Sequence, residues 1–266
     1  VRDAIGTLER AVASVRPYVD EVAIIDTGSV DGTQALARHL ADRYREQPWP
    51  NHFAKARNWT ISHATTDYVL ILDADEYAEG GPLWDTLREA ITEDVAALDL
   101  IVNNYVAGQT ATQAFYQPRI LRRSPILRYE RRVHHQLRPS LDRYMARTGR
   151  RHRAHDARII HHGYDLSDED RIRKFTARLA LYDDAVREAA GTPQATYYRM
   201  KQAECLFMAS RYTDAIAAMS AVVDHVEGDR YRRTSYEIIV KSYLYLMKTG
   251  MAIDIPAATA AATRYA

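Results

Sequence analysis

Apolar positions in the first 75 residues switch between two periods. Ile5, Leu8, Val12 and Val15 recur at steps of three and four up to Pro17, which predicts a short helix packed on one face. Glu21-Val-Ala-Ile-Ile-Asp26 is instead an unbroken apolar run with acidic ends, the pattern of a strand buried on both faces. Residues 33–44 return to helical spacing with Leu36 and Leu40 inward, residues 53–64 predict another helix, and Tyr68-Val-Leu-Ile-Leu-Asp73 reads as a second buried strand. Strand, helix, helix, strand with short joints predicts an α/β wound sheet, Rossmann-like and mostly parallel. Val1-Arg-Asp3 looks like the end of a strand whose beginning is absent from this sequence. Residues 98–106 and 113–121 are further strand candidates, while 126–137 and 158–161 read as shorter strands or loops.

Beyond Gly163 the pattern changes. Leu166-Ser-Asp-Glu-Asp170 opens a helix with a capping serine and an acidic first turn. From there the chain is helix-periodic over 168–190, 194–209, 212–226 and 229–249, broken at Gly191-Thr-Pro, Ser210-Arg-Tyr-Thr and Glu227-Gly-Asp. Tyr197 and Tyr231 stand 34 residues apart, the tetratricopeptide period, and Ala203, Tyr212, Ala215 and Ile216 fall at inward spacings. The expected organisation is an α/β domain over 1–165 and a tetratricopeptide-like helical region over 166–266.

Composition narrows the classes. Of 266 residues, 47% are hydrophobic and 27% charged, so the chain can bury a core. Thirty-six basic against 35 acidic residues give a net charge of +1, without the basic excess of a nucleic-acid binder. Basic residues do crowd 119–158, including Arg122, Arg128, Arg131, Arg138 and Arg151, which reads as a solvated face or as a rim for a phosphate-bearing ligand. A single cysteine, Cys205, excludes an internal disulfide and sits in an apolar helical pattern. No apolar run approaches the ~20 residues that span a bilayer, and no signal-peptide pattern opens the chain, so a cytoplasmic location is expected.

Three segments carry chemistry. Asp26-Thr-Gly-Ser-Val-Asp-Gly-Thr33 places a carboxylate and a glycine turn at a strand's carboxyl end, where wound sheets bind nucleotides; alone, it reads equally well as a βα turn capped by Asp31. Asp73-Ala-Asp-Glu76 follows the second buried strand. Its alternate carboxylates crowd like charge, which a hard cation bridging to a diphosphate would relieve, although a solvated turn also fits an isolated Asp-x-Asp. In Asn51-His-Phe-Ala-Lys-Ala-Arg-Asn58, Lys55 and Asn58 share a helix face and Arg57 points elsewhere; a basic amphipathic helix start is the plainer reading.

In order, these segments resemble the family-2 glycosyltransferases of GT-A fold, in particular the subgroup with a C-terminal tetratricopeptide-like region. The resemblance rests on Val1-Arg-Asp3, residues 8–15, Val19-Asp-Glu-Val-Ala-Ile-Ile-Asp-Thr-Gly-Ser-Val-Asp-Gly-Thr33, Phe53-Ala-Lys-Ala-Arg-Asn58 and Asp73-Ala-Asp-Glu76. It is specific over 1–76 and looser to about 164, with Val133-His134 and His161-His-Gly-Tyr164 still recognisable.

The resemblance implies an inverting, metal-dependent transfer of a sugar from a nucleoside diphosphate donor, with a UDP-sugar expected. Asp26 would bind the base, Asp73 the ribose, and Arg57 the diphosphate or base region, with Asp3, Gly28, Ser29 and Ala74 completing the donor site. Asp75 and His161 would hold Mn²⁺ or Mg²⁺, with His162 a close competitor of His161. The family's usual Val-His-Glu is here Val133-His-His135, so His135 replaces the expected general base, with His134 and Glu76 as neighbouring candidates. The helical region could receive a peptide, protein or glycan acceptor or support self-association. The alternative is a catalytically impaired GT-A scaffold that uses the helical repeat to bind a protein partner.

Overall fold

The computed structural model describes residues 1–105, 113–161 and 167–265. The chain divides into two compact units, Val1–Asp165 and Leu166–Ala266. Expectations for Val106, His162, Gly163, Tyr164 and Leu166 lie outside the described residues.

The first unit is built around β5 (Val95–Asn104), buried along most of its length. Before it come α1 (Leu8–Val15), β1 (Ala23–Asp26), α2 (Thr33–Leu40), β2 (Arg43–Glu46), α3 (Phe53–His63), β3 (Tyr68–Leu70), β4 (Glu76–Ala78) and the short α4 (Pro82–Asp85). After it come β6 (Gln113–Arg122), α5 (Arg138–Thr148) and β7 (Arg151–His161). α1 turns Leu8, Ala11, Val12 and Val15 inward as their spacing predicts, whereas Ile5 lies before the helix and is exposed. One core layer joins Ala54 and Ile61 of α3 and Leu141 and Tyr144 of α5 to Val69, Ala97 and Leu121. The opposite layer joins Val15 and Trp84 to Leu98, Leu100, Ile120 and Ile159. Each such buried Leu, Ile or Val stabilises the unit by roughly 1.5–3 kcal/mol.

Among the described strands, β1 pairs with β2, and a five-stranded sheet runs β3-β6-β5-β7-β4. Parallel pairing is confined to β1–β2 and β5–β7; β3–β6, β5–β6 and β4–β7 are antiparallel. The sheet is therefore mixed, not mostly parallel. Residues 105–112 join β5 to β6, fewer than a parallel crossover needs, whereas α5 intervenes before β7 and allows β7 to lie parallel to β5.

Three elements depart from the pattern reading. The helix expected over 33–44 stops at Leu40, because Ala41 is extended, and β2 follows. Asp42 receives the Val22 N–H at 2.7 Å, which ties the start of β2 to the approach of β1. Arg-Tyr-Arg-Glu shows no apolar alternation because β2 pairs only with β1 among the described strands. α5 lay unseen in the arginine-rich stretch, since it buries only Ser140, Leu141 and Tyr144; Pro139 opens it and Gly149, at φ +70°, ends it. β7 begins at Arg151, well before the expected 158, and its first half is polar because only the second half is covered.

The second unit is all helical: α6 (Asp168–Glu188), α7 (Pro193–Met208), α8 (Tyr212–Ser220), α9 (Asp229–Lys248) and α10 (Ile255–Tyr265). Ser167 caps α6 by accepting from Asp170 N–H at 3.1 Å. Met200, Ala203, Met219, Val223, Tyr236, Ile239 and Ala261 form its core. Tyr197 and Tyr231 touch edge to face, with centroids 5.7 Å apart, where α7 meets α9. α10 lacked a predicted counterpart because its alanine-rich sequence buries only Ala261. Among the described residues, no helix is long and apolar enough to cross a membrane.

Candidate functional site

Two acidic turns lie at strand ends in the first unit. At the first, β1 delivers Asp26 into a fully buried position. Its Oδ1 accepts from Gly28 N–H (2.8 Å) and Ser29 N–H (2.9 Å), and its Oδ2 accepts from the Ser29 hydroxyl (2.5 Å). Burial opposes the charge, but these donors, led by Ser29, hold the carboxyl below its usual range. Gly28, at φ +105°, allows the chain to fold back over the carboxylate. Ser29 Oγ also accepts from Asp3 N–H (2.9 Å), and Asp3 Oδ1 accepts from Val30 N–H (2.8 Å). Thr33 and Asp31 bind the backbone of Ala4 and Ile5 in the same manner. Three donors of its own turn, with Gln34 of α2 at 3.4 Å, already meet the Asp26 carboxylate, so a base N–H would have to share it with them.

The second turn faces outward. β3 ends at Leu70, and the chain exposes part of Asp73 and Asp75 before Glu76 re-enters the core as the first residue of β4. Arg57, on α3, holds Asp73 Oδ1 at 2.7 Å. Burial again opposes the charge, but Arg57, with Arg119 behind it, outweighs it and keeps Asp73 ionised far below the ordinary carboxylate range. Asp75 Oδ2 lies 3.4 Å from His161 Nε2 at the end of β7. The other ring nitrogen, Nδ1, stands 2.7 Å from Asn104 Oδ1, so a proton on Nδ1 is donated to Asn104 and Nε2 faces the carboxylate. The Asp75 contact raises the His161 pKa despite burial, and His161 in turn lowers that of Asp75 against its own desolvation.

Glu76, expected as a catalytic candidate, is nearly inaccessible. Arg119 of β6 grips both its oxygens, Nη1 to Oε2 at 2.8 Å and Nη2 to Oε1 at 2.6 Å, and Glu76 Oε2 also accepts from Asp73 N–H at 2.9 Å. A carboxylate so engaged shapes the turn and does not meet an acceptor.

An interstrand gap of about 900 Å³ lies between β1 and β3 beside Val1, whose amino group donates to Ile25 O at 2.7 Å and whose carbonyl accepts from Thr27 N–H at 2.9 Å. It is lined largely by core side chains, Val12, Ile24 and Val69 among them; Arg57, Asp73, Ala74 and His135 also border it. His135 packs face-on to Phe53 (centroids 6.2 Å) and edge-on to Tyr129 (4.9 Å). Burial first, and then the Arg57 charge, press its pKa down to about 4. The expectation that His135 titrates near 6.5 therefore fails: it is neutral at physiological pH and a weak base. His134 is exposed, in the left-handed region at φ +46°, and does not border the gap.

Asp73 and Arg57 pair with each other, as do Asp75 and His161, and Ala74 lies between the two aspartates. Asp3, Asp26 and Ser29 build the other turn. Arg119, Asn104 and Asn58 went unassigned in the sequence reading. Asn58 exchanges hydrogen bonds with the Tyr129 backbone (2.9 and 2.8 Å), fixing the 126–137 segment to α3. The motif Phe-Ala-Lys-Ala-Arg-Asn contained the Asn58 signal. Arg119 was hidden among the surrounding arginines, and Asn104 was simply the end of a strand pattern.

Comparison with known proteins identifies the family. The family model for glycosyl transferase family 2 matches residues 2–158. A TPR repeat-containing protein of Synechococcus elongatus is 36% identical over 137 residues, 50% of this chain and 33% of that protein. The lipopolysaccharide core biosynthesis glycosyltransferase LpsC of Rhizobium meliloti is 31% identical over 118 residues, 42% of each chain. The chain therefore spans 33% and 42% of the length of these two relatives. Among solved structures, S. aureus TarS in complex with UDP aligns with a TM-score of 0.43 and 13% identity, over 96% of this chain and 91% of that one. A match that takes in both acidic turns, Arg57 and most of β7 covers well over half of the sequence. The chain belongs to glycosyl transferase family 2, its α/β unit followed by an all-helical region.

Proposed function

We propose that residues 1–165 bind a nucleoside diphosphate sugar, with UDP as the nucleotide, and transfer the sugar with inversion to a peptide, protein or glycan held by residues 166–266. The observation that carries the reading is the outward turn: Asp73 on Arg57 and Asp75 on His161, both carboxylates partly exposed. Asp73, oriented by Arg57, offers its other oxygen to a ribose hydroxyl.

Asp75 and His161 are the two residues that fit a divalent cation. Among the described residues, no group of three or more His, Cys, Asp or Glu converges on a metal position. Two protein donors are nonetheless enough where phosphate oxygens and water complete the shell; the Asp75 carboxylate suits either cation, while the His161 imidazole favours Mn²⁺ over the harder Mg²⁺. Such a cation neutralises charge on a departing diphosphate. The Nδ1 contact to Asn104 keeps the His161 ring directed toward Asp75.

Thermal shift tests the reading. UDP with Mn²⁺ or Mg²⁺ at 100 times Kd stabilises the native state by about 2.7 kcal/mol, and either component alone does less. No shift with any nucleoside diphosphate and metal at millimolar concentration would sink the donor site.

The scaffold alternative is favoured by a specific observation: Glu76 is locked by Arg119 and His135 is a weak base, so neither is placed to deprotonate an acceptor. Slow donor hydrolysis without acceptor distinguishes the two, since a scaffold leaves the donor intact.

A further inference from the structure

The residue that links the 73–76 turn to the sheet is Arg119. It lies on β6, yet it reaches both ends of the turn. Its Nη1 donates to Ile71 O at 3.3 Å just before the turn, and its guanidinium holds Glu76 at 2.8 and 2.6 Å where the turn ends. The β6 backbone adds a third link, Ile71 N–H to Arg119 O at 2.7 Å. Glu76 closes the ring from within: its N–H donates to Asp73 O at 3.0 Å, and its Oε2 accepts from Asp73 N–H at 2.9 Å. Side chains of Arg119 and Glu76 are 6% and 3% exposed, so this fork is formed away from water. Arg119 Nε is buried with no hydrogen-bond partner. A guanidinium that leaves one donor unsatisfied is held where the turn needs it, not where its own hydrogen bonding is best.

We propose that Arg119 and Glu76 are a positioning pair that sets the direction of the Asp73 and Asp75 carboxylates. Remove the fork, and the segment between Leu70 and Glu76 keeps its length but loses the two anchors that turn Asp73 toward Arg57 and Asp75 toward His161. The pair touches neither donor nor cation; it acts through the turn. This inference rests on the donor reading above only for its effect on nucleotide binding, not for its effect on the turn.

The test uses the full chain and two measurements, hydrogen exchange over 70–78 and titration with UDP and Mn²⁺. The double variant Arg119→Met with Glu76→Leu removes both charges together, because replacing a whole buried pair by apolar side chains spares the fold where removing one partner does not. The expected result is faster exchange confined to 70–78 and UDP–Mn²⁺ affinity reduced about 10- to 100-fold, the usual effect of losing an orienting partner. Arg119→Lys keeps the charge but not the two-pronged grip, so it falls between the double variant and the native protein. It also supplies the same two readouts if the double variant does not fold. Native exchange over 70–78 in the folded variants overturns the pair's role, as does native affinity despite faster exchange. A native protein that binds no UDP with either metal sinks the donor reading alone, and the exchange result still decides for the pair.

Discussion

The two acidic turns of the α/β unit have nearly the same sequence grammar and opposite fates. Each follows an apolar strand and each begins with aspartate. Asp26 is sealed under its own turn by Gly28 and Ser29, whereas Asp73 remains partly exposed against Arg57. The difference lies in what satisfies the carboxylate. A glycine and a serine just after Asp26 bring local N–H and O–H groups onto it. After Asp73 the chain supplies alanine and another aspartate, so the acids of this turn are met from elsewhere: Asp73 by Arg57 on α3, Asp75 by His161 on β7 and Glu76 by Arg119 on β6. Asp26, satisfied locally and buried, holds the fold, whereas Asp73 and Asp75, held at long range and partly exposed, can exchange partners with a ligand.

Substitutions should separate the two turns. The largest expected effect is at Asp75→Asn, which keeps size and removes charge. Turnover is expected to fall about 10²- to 10³-fold, as when one preorganised charge-stabilising group is lost, with an unchanged circular dichroism spectrum. Near-native metal-dependent turnover in this variant would collapse the distinction between the turns.

Next comes His135 beside the second turn. Its folded pKa of about 4 lies below the unfolded value near 6.5, so the unfolded chain takes up its proton first as pH falls. Native stability should decline between pH 6.5 and 4 by at most about 3 kcal/mol more than in His135→Phe. Over pH 6–8, kcat/KM should show no titration from this residue, and His135→Ala should cost well under the ~10²-fold of a positioned base. A rate profile rising through pH 6 to 7, abolished in His135→Ala, would restore the base assignment.

Asp26→Asn should instead act on stability. The native carboxyl is depressed, so its contribution is present above the unfolded pKa near 3.9 and is lost as pH falls through the lower folded value. The variant is expected to lose about 2 kcal/mol at pH 7, the range for hydrogen bonds to a charged group, and to show a flatter acid limb in its denaturation profile. UDP affinity measured below its melting transition should change little. Ser29→Ala, which removes one hydroxyl from the same carboxylate, is the smallest step, about 1 kcal/mol by urea denaturation. If Asp26→Asn were to lose UDP binding with native stability, the first turn would be a ligand site after all.

The sequence by itself determined the buried strands β1 and β3, helices α1 and α3, the change to an all-helical tail, and the family resemblance carried by the two turns. These are short-range properties: periodicity, strand-end acids and turn glycines act within a few residues. Only the tertiary structure decided the rest. β2 and the polar half of β7 have no alternation to read, and α5 buries a narrow stripe under a run of arginines. The sheet proved mixed because strand direction depends on which distant strands meet. At the site, proximity made the roles: Asn104 to His161 spans 57 residues, Arg119 to Glu76 43, and Arg57 to Asp73 16. His135 looked like a base from its neighbours in sequence, and lost that character because Phe53, Tyr129 and Arg57 surround it in space. The free energy of an ionisable group is set by the burial and charges around it, and those neighbours are assembled by the fold.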